Sequence, residues 1–191
     1  MGTVAKPPLI LAFAGSARRD SLNRKFLAEA VEAVKQAGAL VTLLQPEDLV
    51  MPLYNGDLED AEGMPPSAVK VVGLLASHTA LLVASPEYNS MITPMLKNAI
   101  DWCSRADENA FVGKVAAVIS ASPGIHGGVR SLQLAQQLFL KLGCDVVPGQ
   151  CILPHANRAF DGNGKLTDAH AQKSLGEMAA KLVLIATKFA G

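Results

Sequence analysis

Three short segments carry the residues able to do chemistry in this chain, and each follows an apolar run. The first is Gly15-Ser16-Ala17-Arg18-Arg19-Asp20-Ser21-Leu22-Asn23. Ser16, Ser21 and Asn23 offer neutral hydrogen-bond donors, and Arg18 adds a forked, permanently charged guanidinium. The segment opens what reads as a helix, whose first N–H groups and positive dipole end attract an anion. Together these groups suit a phosphate. The plainer alternative is that Ser and Asn cap the helix while Arg18 faces water. Neither G-x-G-x-x-G nor G-x-x-x-x-G-K-[ST] occurs, so the loop is not of the kind that grips a dinucleotide pyrophosphate or a nucleoside triphosphate.

The second segment is Ser85-Pro86-Glu87-Tyr88-Asn89-Ser90. Pro86 stiffens it, and Tyr88 and Asn89 present an aromatic face and an amide to a planar heterocycle. The alternative is an ordinary turn, with Asn89-Ser90 supplying turn chemistry. The third segment runs from Ser120 through Ser122, Gly124, His126 and Gly127 to Gly128. Its glycines let backbone N–H groups approach a ring closely, although a flexible connection reads equally well. His126 is either a ligand contact or a solvated loop residue.

Other chemistries find little support. None of His78, His126, His155 and His170 has metal-ligand spacing with another His, Cys or carboxylate, so no metal is expected. Ser85, Asp101 and His126 form no recognisable hydrolase constellation, and G-x-S-x-G is absent. Cys103, Cys144 and Cys151 are odd in number and lack CxxC spacing, which reads as buried, reduced thiols in a cytoplasmic protein.

The three segments need elements to hold them. Apolar runs at Pro8 to Ala14, Leu40 to Leu44, Ala80 to Ser85, Lys114 to Ala121 and Asp145 to Leu153 read as strands, the last interrupted by Pro148-Gly149. Between them lie helical patterns: Leu22 to Ala37, closed by Gly38; Ser67 to Ser77; Thr93 to Arg105, with Thr93 as N-cap and Pro94 at N1; and a helix ending near Leu142. A final helix spans Thr167 to Phe189. Pro46 to Pro66 reads as irregular. Strands and helices alternate five times, and strands apolar throughout suit a parallel sheet covered on both faces. The expectation is one α/β domain over residues 1–191, doubly wound, with a five-stranded parallel sheet in the order 2-1-3-4-5. In such sheets ligands bind at the carboxyl ends of the strands, where the three segments converge.

The bulk numbers agree with an ordinary domain. The chain has 191 residues, 50% of them hydrophobic, and 17 basic residues balance 17 acidic ones. A net charge of zero draws the chain to neither nucleic acid nor anionic membrane and removes a barrier to self-association. Lys6 followed by Leu9 to Ala14 mimics a secretion signal, but the apolar run is too short and cleavage would destroy the first strand. Lys6 also stands where a myristoylation signal needs Ser or Thr. No stretch is long and apolar enough to span a membrane.

The motifs carry a resemblance. Gly15, Ser16, Arg18, Ser21 and Asn23, then Pro86 to Asn89, then Leu96-Lys97-Asn98-Ala99-Ile100-Asp101-Trp102 resemble the NADPH-dependent FMN reductase family, which includes quinone, chromate and azo-dye reductases. Pro52-Leu53-Tyr54 and Gly127-Gly128 also fit. The resemblance implies a flavodoxin-like fold and non-covalent FMN. Ser16, Arg18, Ser21 and Asn23 would hold the phosphate; Pro86, Glu87, Tyr88 and Asn89 would line the ring and ribityl chain. Ser122, Gly124, His126, Gly127 and Gly128 would flank the pyrimidine end. Hydride from NADPH or NADH would pass to flavin N5 and on to a small acceptor such as a quinone, free flavin, chromate or azo compound, by a ping-pong mechanism. No catalytic side chain is implied beyond Tyr88 as a positioning candidate. A homodimer or homotetramer is expected, with a contact near Met91 to Trp102. Met91 and Ile92 depart from the family pattern and are expected to reshape the pocket over the flavin. Trp102 reads as a packing residue rather than a stacking ring. Two rivals fit less well. A flavodoxin-type electron carrier normally has a Thr-rich phosphate loop and an acidic surface, and a phospho-acceptor receiver needs acids at strand ends where this chain has Ala14-Gly15 and Ser85.

Overall fold

The computed structural model describes residues 6–106 and 108–189. Strand β1 (Leu9–Ala14) lies beside β2 (Leu40–Leu43) on one side and β3 (Ala80–Ala84) on the other. β4 (Val115–Ala121) follows β3, and β5 (Asp145–Val146) pairs with β4, giving the order β2-β1-β3-β4-β5 with every pairing parallel. β6 (Cys151–Leu153) also pairs with β4, further along it. The expected fifth strand is therefore two short strands. Proline has no N–H to donate to a ladder, and Pro148-Gly149 falls between the two pieces.

Alternation along the central strands sends side chains into two cores. Ile10, Ala12, Leu82, Ala117 and Ile119 face α1 (Leu22–Gln36) and α6 (Ala169–Phe189). Leu11, Phe13, Leu81, Val83 and Val118 face the opposite way, toward α3 (Pro66–Ser77), α4 (Pro94–Cys103) and α5 (Val129–Lys141). The helical period of α1 puts Phe26, Leu27, Ala30, Val31 and Val34 inside, as read from sequence. Ala37 takes the C-cap and Gly38 follows it in the left-handed region, where its N–H reaches the Lys35 carbonyl.

The segment expected to be irregular contains two short helices: a single 3-10 turn at Pro46–Leu49 and α2 (Gly56–Glu62). α2 buries no residue, so it leaves no apolar period to read. Asn55 caps it by accepting from the Asp57 N–H at 2.9 Å.

All three cysteines are free and buried. Burial pushes the Cys103 and Cys144 thiols up to about 12 and the Cys151 thiol up to about 11. The thiolate is the reactive form, so these groups are inert in the fold. Ellman's reagent at pH 8 is expected to label no thiol in the native protein and all three after denaturation. Rapid labelling of even one native thiol would contradict the packing around it. Among the described residues no helix is long and apolar enough to cross a membrane, and no cluster of three His, Cys, Asp or Glu is placed to hold a metal ion.

Candidate functional site

The loop after β1 turns at Gly15, whose N–H bonds the Ala84 carbonyl at 2.9 Å. The Thr93 hydroxyl donates to the Gly15 carbonyl at 2.6 Å and accepts from the Leu96 N–H at 3.2 Å, tying this loop to the start of α4. Ser21 is the N-cap of α1 and accepts from the Arg24 N–H at 3.3 Å; Ser16 accepts from the Arg18 N–H at 3.3 Å. Among the described residues the N–H groups of Ala17, Leu22 and Asn23 meet no acceptor in the protein, and the Arg18 side chain enters no ion pair. Free helix-terminal donors beside such a guanidinium are groups that attract an anion.

Asn23 does something else as well. Its Nδ2 donates to the Ala121 carbonyl at 2.7 Å, and its Oδ1 accepts from the Ala121 N–H at 2.9 Å. The Ile119 carbonyl is met by the Ser85 N–H, and β3 has ended by the level of Ala121. A side-chain amide therefore continues the ladder where the strand no longer does. Asn23 reaches the cleft with only one Nδ2–H left for a ligand.

The second segment is a tight hairpin. Tyr88 and Met91 exchange two backbone hydrogen bonds of 3.0 Å, and Asn89 and Ser90 between them have φ of 52° and 65°. Two left-handed residues in succession are the requirement of a type I′ turn, so Asn89 serves turn chemistry. Tyr88 and Met91 stand at the lip, 43% and 55% exposed. Ile92 turns inward and packs on the core under α4, so of the two bulky residues flagged in the sequence only Met91 can shape the opening.

Glu87 lines the cleft, yet its carboxylate is spent on α5. Its carboxylate accepts from the Arg130 N–H at 3.0 Å and the Ser131 N–H at 3.3 Å, and pairs with the Arg130 guanidinium at 3.4 Å. The N-cap position of α5 is Gly128, which has no side chain to cap with, so Glu87 caps the helix from another loop. Below it, the Ser131 hydroxyl donates to the Pro86 carbonyl at 2.8 Å. Its single proton is thereby used, so the Ser85 hydroxyl, 2.7 Å away, donates to it. The Ser120 hydroxyl donates to the Ser85 carbonyl at 2.7 Å. These buried serines lock the second and third loops together.

The third loop is close-packed against protein rather than open to a ligand at its end. A Cβ on Gly128 would overlap the Ser120 hydroxyl, and one on Gly127 would sit 2.9 Å from the Pro154 nitrogen. Both glycines also have positive φ, so backbone conformation and neighbouring protein atoms already account for them. The Arg130 and Ser131 N–H groups are taken by Glu87, leaving those of Ile125, His126 and Gly128 without an acceptor among the described residues.

The three loops enclose a cleft of about 260 Å³. Ser16, Arg18, Ser21, Asn23, Pro86, Glu87, Tyr88 and Ser122 line it, joined by Leu22, Ala121 and Pro123, which the sequence reading did not single out. Asn89, Gly124, His126, Gly127 and Gly128 do not line it. At one end are the anion-attracting groups; the remaining wall offers proline, tyrosine and serine surfaces suited to a flat, partly polar molecule.

The Pro52-Leu53-Tyr54 stretch is a strap over α4. Asn98 accepts from the Tyr54 N–H at 2.8 Å and donates to the Pro52 carbonyl at 2.9 Å, and the Trp102 indole donates to that same carbonyl at 2.8 Å. Tyr54 meets the Trp102 ring edge-on at a centroid distance of 5.1 Å. The Tyr54 hydroxyl donates to Glu59 at 2.9 Å, which raises its pKa, and Glu59 pairs with Arg105 at 3.0 Å. Trp102 is fully buried in this packing and is no stacking surface.

Comparison with known proteins follows the same lines. The family model described as NADPH-dependent FMN reductase matches residues 8–158. An NAD(P)H-dependent FMN reductase of Pseudomonas aeruginosa is 35% identical over 185 residues, covering 95% of this chain and 97% of that one. A quinone reductase of Pseudomonas putida is 36% identical over 157 residues, covering 81% and 82%. The solved structure of a flavoenzyme NAD(P)H:(acceptor) oxidoreductase from Paracoccus denitrificans, 31% identical, superposes with a TM-score of 0.82 over 95% of this chain and 98% of that one.

Proposed function

The chain belongs to the NADPH-dependent FMN reductase family, and on that footing we propose that the three-loop cleft holds FMN and that the protein is an NAD(P)H-dependent oxidoreductase serving a small-molecule acceptor. The observation that carries this reading is the pairing of uncommitted N–H groups at the start of α1 with the uncommitted Arg18 guanidinium. A terminal phosphate dianion matches that donor set, and Ser16 and Ser21 have hydroxyl protons to add. Pro86, Tyr88, Ser122 and Pro123 suit the ribityl chain and the isoalloxazine.

FMN supplies a two-electron carrier between nicotinamide and acceptor. The chain's own part is binding, orientation and exclusion of water from one side. The backbone-bonded Tyr88–Met91 hairpin and the Ser85, Ser120 and Ser131 network hold two loops rigid, so the cleft keeps its shape through turnover. Tyr88 stands exposed at the lip and positions whatever enters. Among the described residues Glu87 is the one carboxylate lining the cleft, and it is committed to the Arg130 and Ser131 N–H groups, which suits chemistry needing no side-chain proton donor. One open cleft used first by the nicotinamide and then by the acceptor gives ping-pong kinetics.

Denaturing the purified, FMN-reconstituted protein is expected to release FMN into the supernatant. With a soluble quinone, double-reciprocal plots at several NADPH concentrations are expected to be parallel. A protein that binds no FMN would sink the reading; bound FMN without NAD(P)H oxidation would leave a one-electron carrier. The thiols point to a reducing compartment, the cytoplasm. Zero net charge and exposed Leu53 and Met91 point to a homo-oligomer with its contact on the lip and strap rather than on buried Trp102. Light scattering at micromolar concentration is expected to show at least a dimer; a 20.0 kDa species alone would refute it.

A further inference from the structure

A second cleft, of about 310 Å³, opens on the other side of the α1 N-terminus, between the first two turns of that helix and the Leu43 to Pro46 segment leaving β2. Its floor is apolar, built from Leu27, Leu44 and Pro46. Its rim carries Arg19, Arg24 and Lys25, and no carboxylate lines it. Among the described residues none of these three side chains enters an ion pair.

The placement runs against helix electrostatics. Arg24 and Lys25 lie at the positive end of the α1 dipole, where cations are unfavourable, and the first turn holds no acidic residue to offset them. The chain as a whole is neutral, with 17 basic and 17 acidic residues, so this is a local concentration of charge and not a general bias. A local rule broken without a structural partner is the mark of a ligand site. The missing partner is anionic, and the apolar floor asks for a flat body attached to it. Ser21 lines both this cleft and the cofactor cleft, so the two adjoin at that residue.

We propose that this second cleft binds the 2′-phosphorylated adenosine end of NADPH. The inference rests on the NAD(P)H-dependent reading above. Arg18 and the free N–H groups serve the terminal phosphate of FMN in the first cleft, which leaves Arg19, Arg24 and Lys25 for the other nucleotide of the reaction. Three cations exceed what NADH, lacking the 2′-phosphate, would use, so the cleft selects NADPH. The adenine lies on Leu44 and Pro46 with the 2′-phosphate at the rim.

Calorimetric titration of the FMN-loaded protein with adenosine 2′,5′-bisphosphate tests this without turnover. That probe is expected to bind, to compete with NADPH, and to bind at least tenfold more tightly than adenosine 5′-monophosphate. In the double variant Arg24→Ala, Lys25→Ala its affinity should fall at least tenfold while FMN affinity changes less than twofold. KM for NADPH should rise at least tenfold, and KM for NADH less than twofold. The proposal is overturned if the bisphosphate fails to bind, if the monophosphate binds equally well, or if NADPH and NADH lose equally in the variant. An FMN-loaded wild type that oxidises neither nicotinamide would instead overturn the parent reading, and this one with it.

Discussion

Asn23→Ala is expected to lower the stability of the FMN-free protein by about 2–6 kcal/mol, since two buried backbone groups each lose their partner at roughly 1–3 kcal/mol. The N–H and carbonyl of Ala121 point to where β3 has already stopped, and Asn23 is what they bond. In a chain of this size each kcal/mol moves the melting temperature by roughly 2–4 °C, so a fall on the order of 10 °C should be plain in a thermal melt. Asn23→Asp should fare nearly as badly, because a carboxylate cannot donate to the Ala121 carbonyl. The contrast with a purely ligand-binding role is sharp. If Asn23 served only the cofactor phosphate, the FMN-free melting temperature would not move and only FMN affinity would fall. A melt unchanged within a degree therefore removes Asn23 from the architecture and returns it to the phosphate site.

Arg18→Ala is expected to do the reverse: to leave the melting temperature of the FMN-free protein within a degree or so and to weaken FMN binding by at least about tenfold. Arg18 is exposed and its side chain makes no ion pair among the described residues, so none of their charges is left unpaired when it goes. A charge-assisted hydrogen bond contributes roughly 1.5–3 kcal/mol, and 1.4 kcal/mol is about a factor of ten in affinity. Riboflavin, which has no phosphate, should bind wild type and variant alike. Wild type should accordingly prefer FMN to riboflavin by at least the factor that the variant loses, since the α1 N–H groups and the serine hydroxyls remain. Titrating both flavins into both FMN-free proteins gives all four constants. Equal weakening of riboflavin and FMN in the variant would mean that Arg18 shapes the pocket wall and that the phosphate lies elsewhere.

These two variants separate what the loop motif compresses into one line. Ser16, Arg18, Ser21 and Asn23 occur together within eight positions, yet the fold divides their work. Ser21 caps a helix, Asn23 extends a sheet, and among the described residues the Arg18 side chain is in no ion pair. Pro86, Glu87 and Tyr88 all line the cleft, but the Glu87 carboxylate is already spent on closing the N-terminus of α5. Spacing reveals that residues travel together; it does not say which of them meets the ligand.

Local sequence sufficed wherever the determinant was local. Apolar runs such as Pro8 to Ala14 and Lys114 to Ala121 declared buried parallel strands, because strands covered on both faces need no polar side. The period of α1, the Thr93-Pro94 start of α4 and the alternation of elements led to the order 2-1-3-4-5, and the glycine- and serine-rich loops marked the carboxyl edge as the place of chemistry. Tertiary structure decided what depends on partners distant in sequence. α2 has no buried face and is held by caps and the Tyr54–Glu59–Arg105 contacts, so no period announced it. Gly127 and Gly128 answer to Pro154 and Ser120. Asn23 meets Ala121 and Glu87 meets Arg130 across 98 and 43 residues of chain. The cationic cleft beside Ser21 exists only because the Leu43 to Pro46 segment lies against the start of α1. Periodicity and capping act over one or two turns of chain and can be read from it, whereas the direction in which a polar side chain spends its hydrogen bonds is fixed only when the rest of the fold arrives.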